Sequence, residues 1–91
     1  MFSIETSNQF RKDQKKLQKQ KKDLLKLKTV IEILIEGKQL PQKYQDHPLS
    51  GNWKAYRDCH VENDLVLIYK IDKKLKVILL QRIGSHSELF G

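Results

Sequence analysis

All three histidines of the 91-residue chain, His47, His60 and His86, fall in the stretch from Asp46 to His86. Two carboxylates, Asp58 and Asp64, flank His60, and Arg82 precedes His86 by one turn's worth of chain. An imidazole, with an ordinary pKa of about 6.5, takes or gives a proton near neutrality at little cost. Cutting an RNA phosphodiester needs both acts: the 2′-hydroxyl loses a proton as it attacks phosphorus, the leaving 5′-oxygen gains one, and cations stabilise the charge on the phosphorane. His60, His86, Asp64 and Arg82 are the side-chain types those roles require. A single histidine taken alone is ordinarily an uninvolved surface residue; a convergence of two with a carboxylate is what points to catalysis.

That convergence depends on strand direction. Leu65 to Ile71 and Leu75 to Leu80 are short apolar runs that read as adjacent antiparallel strands. The chain leaves His60, turns through Glu62-Asn63 to Asp64, crosses the sheet, turns at Asp72-Lys73-Lys74 and crosses back, so His60, Asp64 and His86 should meet at one sheet end. Leu65 to Ile71 is apolar on both faces and suits the central strand; in the next strand Val77, Leu79 and Ile83 oppose Ile78 and Leu80. Trp53 to Val61 alternates, with Trp53, Ala55, Arg57, Cys59 and Val61 towards the helices and Asp58 and His60 on the open face. Lys38 to Asn52, broken by Pro41, Pro48 and Gly51, reads as a surface loop in which Pro48 holds His47 extended.

The N-terminal part reads differently. Phe2 to Glu5 alternates as a short strand, and Thr6 or Ser7 caps a helix over about Asn8 to Lys19, Thr6-x-x-Gln9 fitting a capping box. Its apolar stripe is thin, Phe10 and Leu17 with Gln14 between them, while Lys12, Lys15, Lys16 and Lys19 share another face. Asp23 reads as a second N-cap. Leu24, Leu27, Val30, Ile31 and Leu34 then give a helix with one buried face, stopped by Gly37. The tail from Gly84 to Gly91 reads as too short for a further packed helix. The expected class is α+β in one domain spanning residues 1–91.

The composition, 38% apolar and 32% charged, is that of a globular protein, and no apolar run is long enough to span a bilayer. The first residues show no secretory signal, and a lone Cys59 has no internal disulfide partner, so a cytoplasmic location is expected. The net charge of +7 is confined: Arg11 to Lys28 holds nine Lys or Arg against Asp13 and Asp23, and the rest of the chain balances. Charge concentrated in one segment calls for a polyanionic partner, with RNA, DNA and an acidic protein all admissible. A metal centre is not expected, because the histidines are scattered and no paired-ligand spacing occurs; no other cofactor is called for either. Cys59 reads as a buried structural thiol and Trp53 as core. Phe90, close to His86, could stack on a nucleotide or pack over the sheet end.

Four spaced motifs together resemble a known family: Asp46-His47-Pro48-Leu49, Trp53-Lys54-x-Tyr56-Arg57-Asp58-x-His60, Leu67-Ile68-Tyr69 and Arg82-x-Gly84-x-His86-x-x-Leu89-Phe90. In this order they are similar to the YafQ branch of the RelE toxins of bacterial toxin–antitoxin systems. The resemblance implies two N-terminal helices packed on a small twisted, mainly antiparallel sheet, and a ribosome-dependent mRNA endonuclease that acts in the ribosomal A site and is held inactive by a cognate antitoxin. It carries functional positions onto His47, His60, Asp64, His86 and Phe90, with Asp58 as a further member, and marks His86 as the most important for cleavage. His47 enters the set only in this way. ParE-like relatives that inhibit a DNA topoisomerase share the fold without this histidine set, and a non-catalytic basic RNA-binding module is the other alternative.

Overall fold

The computed structural model describes residues 1–22 and 24–91. Strand β1 (Ser3–Thr6) leads into helix α1 (Asn8–Lys19) and helix α2 (Leu25–Ile35); β2 (His47–Pro48), β3 (Arg57–Glu62), β4 (Leu65–Asp72) and β5 (Val77–Gly84) follow, and helix α3 (His86–Phe90) closes the chain. The sheet order is β1-β5-β4-β3-β2, with β1 parallel to β5 and every other pair antiparallel. This is the expected α+β arrangement. Among the described residues no helix is long and apolar enough to cross a membrane.

Alternation along β4 explains how one strand serves two layers. Leu65, Leu67 and Tyr69 join Phe10, Leu17, Leu27, Val30 and Leu34 of α1 and α2 in the main core, while Val66 and Ile68 form a second cluster with Leu89, against which Leu49, Trp53 and Tyr56 pack. Helix α1 has its expected bounds because Ser7 accepts the Phe10 amide at 2.9 Å. The cap is Ser7 alone and not a Thr6–Gln9 box; the Gln9 amide instead reaches Asp13. The expected cap at Asp23 lies outside the described residues. Gly37, at φ 73°, lets the chain leave α2 in the left-handed region.

Four other expectations are corrected. Trp53 is not in β3 but in a 3₁₀ turn, Gly51–Trp53, and packs on the second cluster rather than under the helices. The segment before it is more than a surface loop: Leu40 and Tyr44 are buried in the main core, and His47–Pro48 pairs with β3 as an edge strand. The turn before β5 extends to Lys76, because the Asp72 carboxylate accepts the amides of Lys74 and Leu75, leaving Leu75 exposed. Finally, Gln81 is an extra residue in β5: Tyr69 pairs with Leu80, yet Ile68 pairs with Arg82. This bulge reverses the alternation, so Ile83 joins Ile78 and Leu80 in the main core instead of opposing them.

Candidate active site

The turn between β3 and β4 brings Asp64 beside the end of β5, where Val66 is paired with Gly84. From there the chain enters α3, a helix that exists because Ser85 and Glu88 form a reciprocal capping box: the Ser85 hydroxyl accepts the Glu88 amide at 3.2 Å and the Glu88 carboxylate accepts the Ser85 amide at 2.9 Å. Leu89 anchors the helix by burial in the second cluster. A packed helix therefore stands where the tail reads as too short for one. His86 is its first residue. The His86 amide donates to Asp64 Oδ1 at 3.1 Å, and its Nδ1 lies 3.3 Å from the same oxygen. These two contacts, the amide first, hold the exposed Asp64 carboxyl below the usual carboxylate range. One helical turn on, the Phe90 ring lies 5.9 Å from the His86 ring and remains 42% exposed, open to a further stacking partner.

His60 comes from β3 and its ring centre is 5.1 Å from that of His86. His47 reaches the same group from the edge strand, where it pairs with Asp58 in the ladder. Its Nδ1 is 2.8 Å from the Gln45 carbonyl, an acceptor only, so Nδ1 carries the hydrogen and Nε2 faces Asp58 Oδ1 at 3.1 Å. Asp58 is 3% exposed, so it does not sit openly beside His60 as alternation implies; β2 and His47 cover it. Among the described residues none donates a directed hydrogen bond to its Oδ1. Burial pushes its carboxyl above the usual range, against the opposing pull of His47, His60 and His86. Three imidazoles thus surround one buried carboxylate, and two of them stand within a ring's width of each other.

Arg82 is committed elsewhere: Nε and Nη2 reach the Asp13 carboxylate at 2.9 and 3.1 Å. Lys12, Lys15, Lys16 and Lys19 are exposed on α1, and Lys16 is paired with Glu88. Beyond His60 an open cleft of about 580 Å³, lined by Lys26, Lys43, Tyr44, Gln45, Glu62 and Asn63, continues from the histidine group, with Lys26 paired to Glu62 at 3.2 Å. Among the described residues no three His, Cys, Asp or Glu side chains are grouped to hold a metal ion.

Two polar clusters were not read from the sequence. Asp13 is buried on the apolar stripe of α1, where burial opposes its charge but hydrogen bonds from Arg82, Gln9 and the Ile83 amide outweigh that and hold its carboxyl below the usual range. Its spacing between Phe10 and Leu17 was the available signal. Asp46 accepts from Arg57 Nη2 at 2.9 Å and from the Tyr69 hydroxyl, which pins the start of β2 to β3 and β4 and sets His47, the next residue, over Asp58.

Residues 2–91 match the family model described as bacterial toxin of type II toxin-antitoxin system, YafQ. The chain is 51% identical over 89 residues to the mRNA interferase toxin YafQ of Escherichia coli strain K12, a match covering 97% of this chain and 95% of that one. Its structure resembles the crystal structure of YafQ from E. coli strain BL21(DE3) with a TM-score of 0.92 at 47% identity, all of both chains being covered. It resembles a chain of the E. coli DinJ–YafQ complex with a TM-score of 0.90 at 48% identity, again over all of both chains.

Proposed function

The chain belongs to the YafQ family of type II toxin–antitoxin toxins, and from that membership we propose an mRNA interferase that cuts the phosphodiester by histidine acid/base catalysis on the ribosome. The observation that carries this reading is the pairing of His60 and His86 at 5.1 Å with His47 close by on Asp58. Two imidazoles within one nucleotide's reach serve the two proton transfers, one accepting from the 2′-hydroxyl and the other donating to the 5′-oxygen. Asp64 orients His86 through Nδ1, leaving Nε2 for the substrate. Phe90 stacks on a base beside His86. Lys12, Lys15 and Lys19 hold ribosomal or messenger phosphates, and the cleft past His60 continues the RNA path. Asp58 supports the histidine group from beneath. Arg82 adds positive charge at the site only to the extent that RNA draws it from Asp13.

The mRNA interferase relatives favour this reading over a topoisomerase inhibitor or a non-catalytic RNA-binding module. A partner similar to DinJ, acidic or of mixed charge, covers the lysine face or the histidine cleft as antitoxin. The test is cleavage of mRNA on programmed ribosomes by the purified protein, with 5′ ends mapped. Cleavage that needs the ribosome and disappears in His86→Ala supports the reading; equal cutting of free RNA, or intact mRNA in arrested cells with damaged DNA, overturns it.

A further inference from the structure

Two ion pairs tie α1 to the C-terminal segment, one on each side of His86. Upstream, Asp13 takes Arg82 through two hydrogen bonds and takes the Ile83 amide at 3.2 Å through the same carboxylate. Downstream, Lys16, on the next turn of α1, pairs with Glu88, whose other oxygen closes the capping box at Ser85. His86 lies between these two fixtures, three residues after Ile83 and two before Glu88.

Neither neighbouring element holds that histidine by itself. The five residues of α3 are far too few for a helix that stands alone. The bulge at Gln81 interrupts the β4–β5 ladder just upstream. On the far side of His86, Asp64 is an exposed turn residue whose hydrogen bonds, among the described residues, run to His86 itself. Pairing resumes after the bulge and ends at Gly84, two residues short of His86, and Leu89 anchors the far end of α3, so the α1 contacts add a tether on each side of His86. We infer that Asp13 and Glu88 are positioning residues for cleavage, holding the Arg82–Glu88 segment against α1 so that His86 keeps its place beside Asp64 and His60. The same helix presents the lysine face, so RNA engagement and the placement of His86 share one rigid element. This inference rests on the acid/base reading of His86.

The two residues differ in strength. A bidentate, largely buried Arg–carboxylate pair fixes geometry far better than an exposed Lys–Glu pair. A displacement on the order of 1 Å at a reacting group can cost about 10²-fold. Asp13→Asn is therefore expected to lower kcat about 10- to 100-fold on programmed ribosomes. Glu88→Gln, whose amide oxygen can still accept the Ser85 amide while the charge opposite Lys16 is gone, is expected to lower it about 2- to 5-fold. KM should stay within about twofold in both, because Lys12, Lys15 and Lys19 are untouched. Imidazole ¹H–¹⁵N spectra should show the His86 signals moved, with those of His47 little changed. Should Asp13→Asn fail to fold, Glu88→Gln decides. Parental kcat and unmoved His86 signals in the folded variants, or a loss confined to KM, would overturn the inference. His86→Ala run alongside separates the two claims: if it cuts at the parental rate, the acid/base reading has failed; if it is inactive while Asp13→Asn and Glu88→Gln cut normally, only the positioning role has.

Discussion

On the β2–β3 side of the site, a surface imidazole faces a carboxylate whose side chain is 4% exposed; on the α3 side, an equally exposed imidazole faces one that is 67% exposed. The two pairs contain the same residue types at similar separations, yet their acids are driven in opposite directions. Burial raises Asp58, and the His86 amide and ring lower Asp64. The buried carboxyl binds its proton more readily than the exposed one, which as a carboxylate accepts from the His86 amide and faces its ring. Two aspartates thus acquire opposite tendencies from their surroundings alone. On the proposed reading the histidine on the open side moves protons to and from a substrate.

Breaking the open half should have the largest effect. His86→Ala removes a proton-transfer group worth about 10²- to 10⁴-fold in rate, while ribosome affinity and melting temperature stay near parental because an exposed ring contributes little to the core. Kinetics read beside His47→Ala and His60→Ala would rank the three rings. Next, replacing Lys12, Lys15 and Lys19 together by Gln should weaken ribosome or RNA binding and flatten its log–log salt dependence by about 2 to 3 units, since about one counterion per lost contact is no longer released. An unchanged slope would return these lysines to simple solvation.

The buried half is better broken by charge than by size. Folded Asp58 binds its proton more readily than the unfolded chain does, so its contribution to stability is full below the ordinary carboxylate range and declines as pH rises through the raised value. Asp58→Asn should therefore melt above the parent at pH 8, with the difference closing towards pH 4, even as cleavage falls. Thermal melts across that range read both signs. Smallest of all is the stability effect of Asp64→Asn, whose melting curve should lie close to the parent's for so exposed a residue, although cleavage should drop because the amide removes the negative charge beside His86 Nδ1.

The parts legible in the sequence are those fixed by local pattern. The apolar stripe of Phe10 and Leu17 marks α1, and the two apolar runs after Asp64 determine strand direction, which brings His60, Asp64 and His86 to one sheet end. What escaped depends on contacts between distant segments. The bulge at Gln81 is supported by the Ser7 hydroxyl on the Gln81 carbonyl and by Asp13 on the Ile83 amide, neither of which any period in β5 records. His47 reaches Asp58 through the β2–β3 pairing, which is reinforced by Asp46 drawn onto Arg57 and Tyr69 across the sheet. Helix α3 does have a local signal, since Ser85-x-x-Glu88 is a capping box in plain sequence, but a five-residue helix depends on its packing as much as on its cap.

Cys59, fully buried between Asp58 and His60, has its thiol pushed far above the ordinary range by burial, with Asp46 and Asp58 adding to the effect. Thiol reagents need the thiolate and access to it, and the closed protein offers neither. As the chain's one cysteine, it is a native clock for β3: the rate at which a reagent in excess labels it measures how often that strand opens. Timed with and without an antitoxin, the same reaction would show whether neutralising the toxin also keeps its central strands shut.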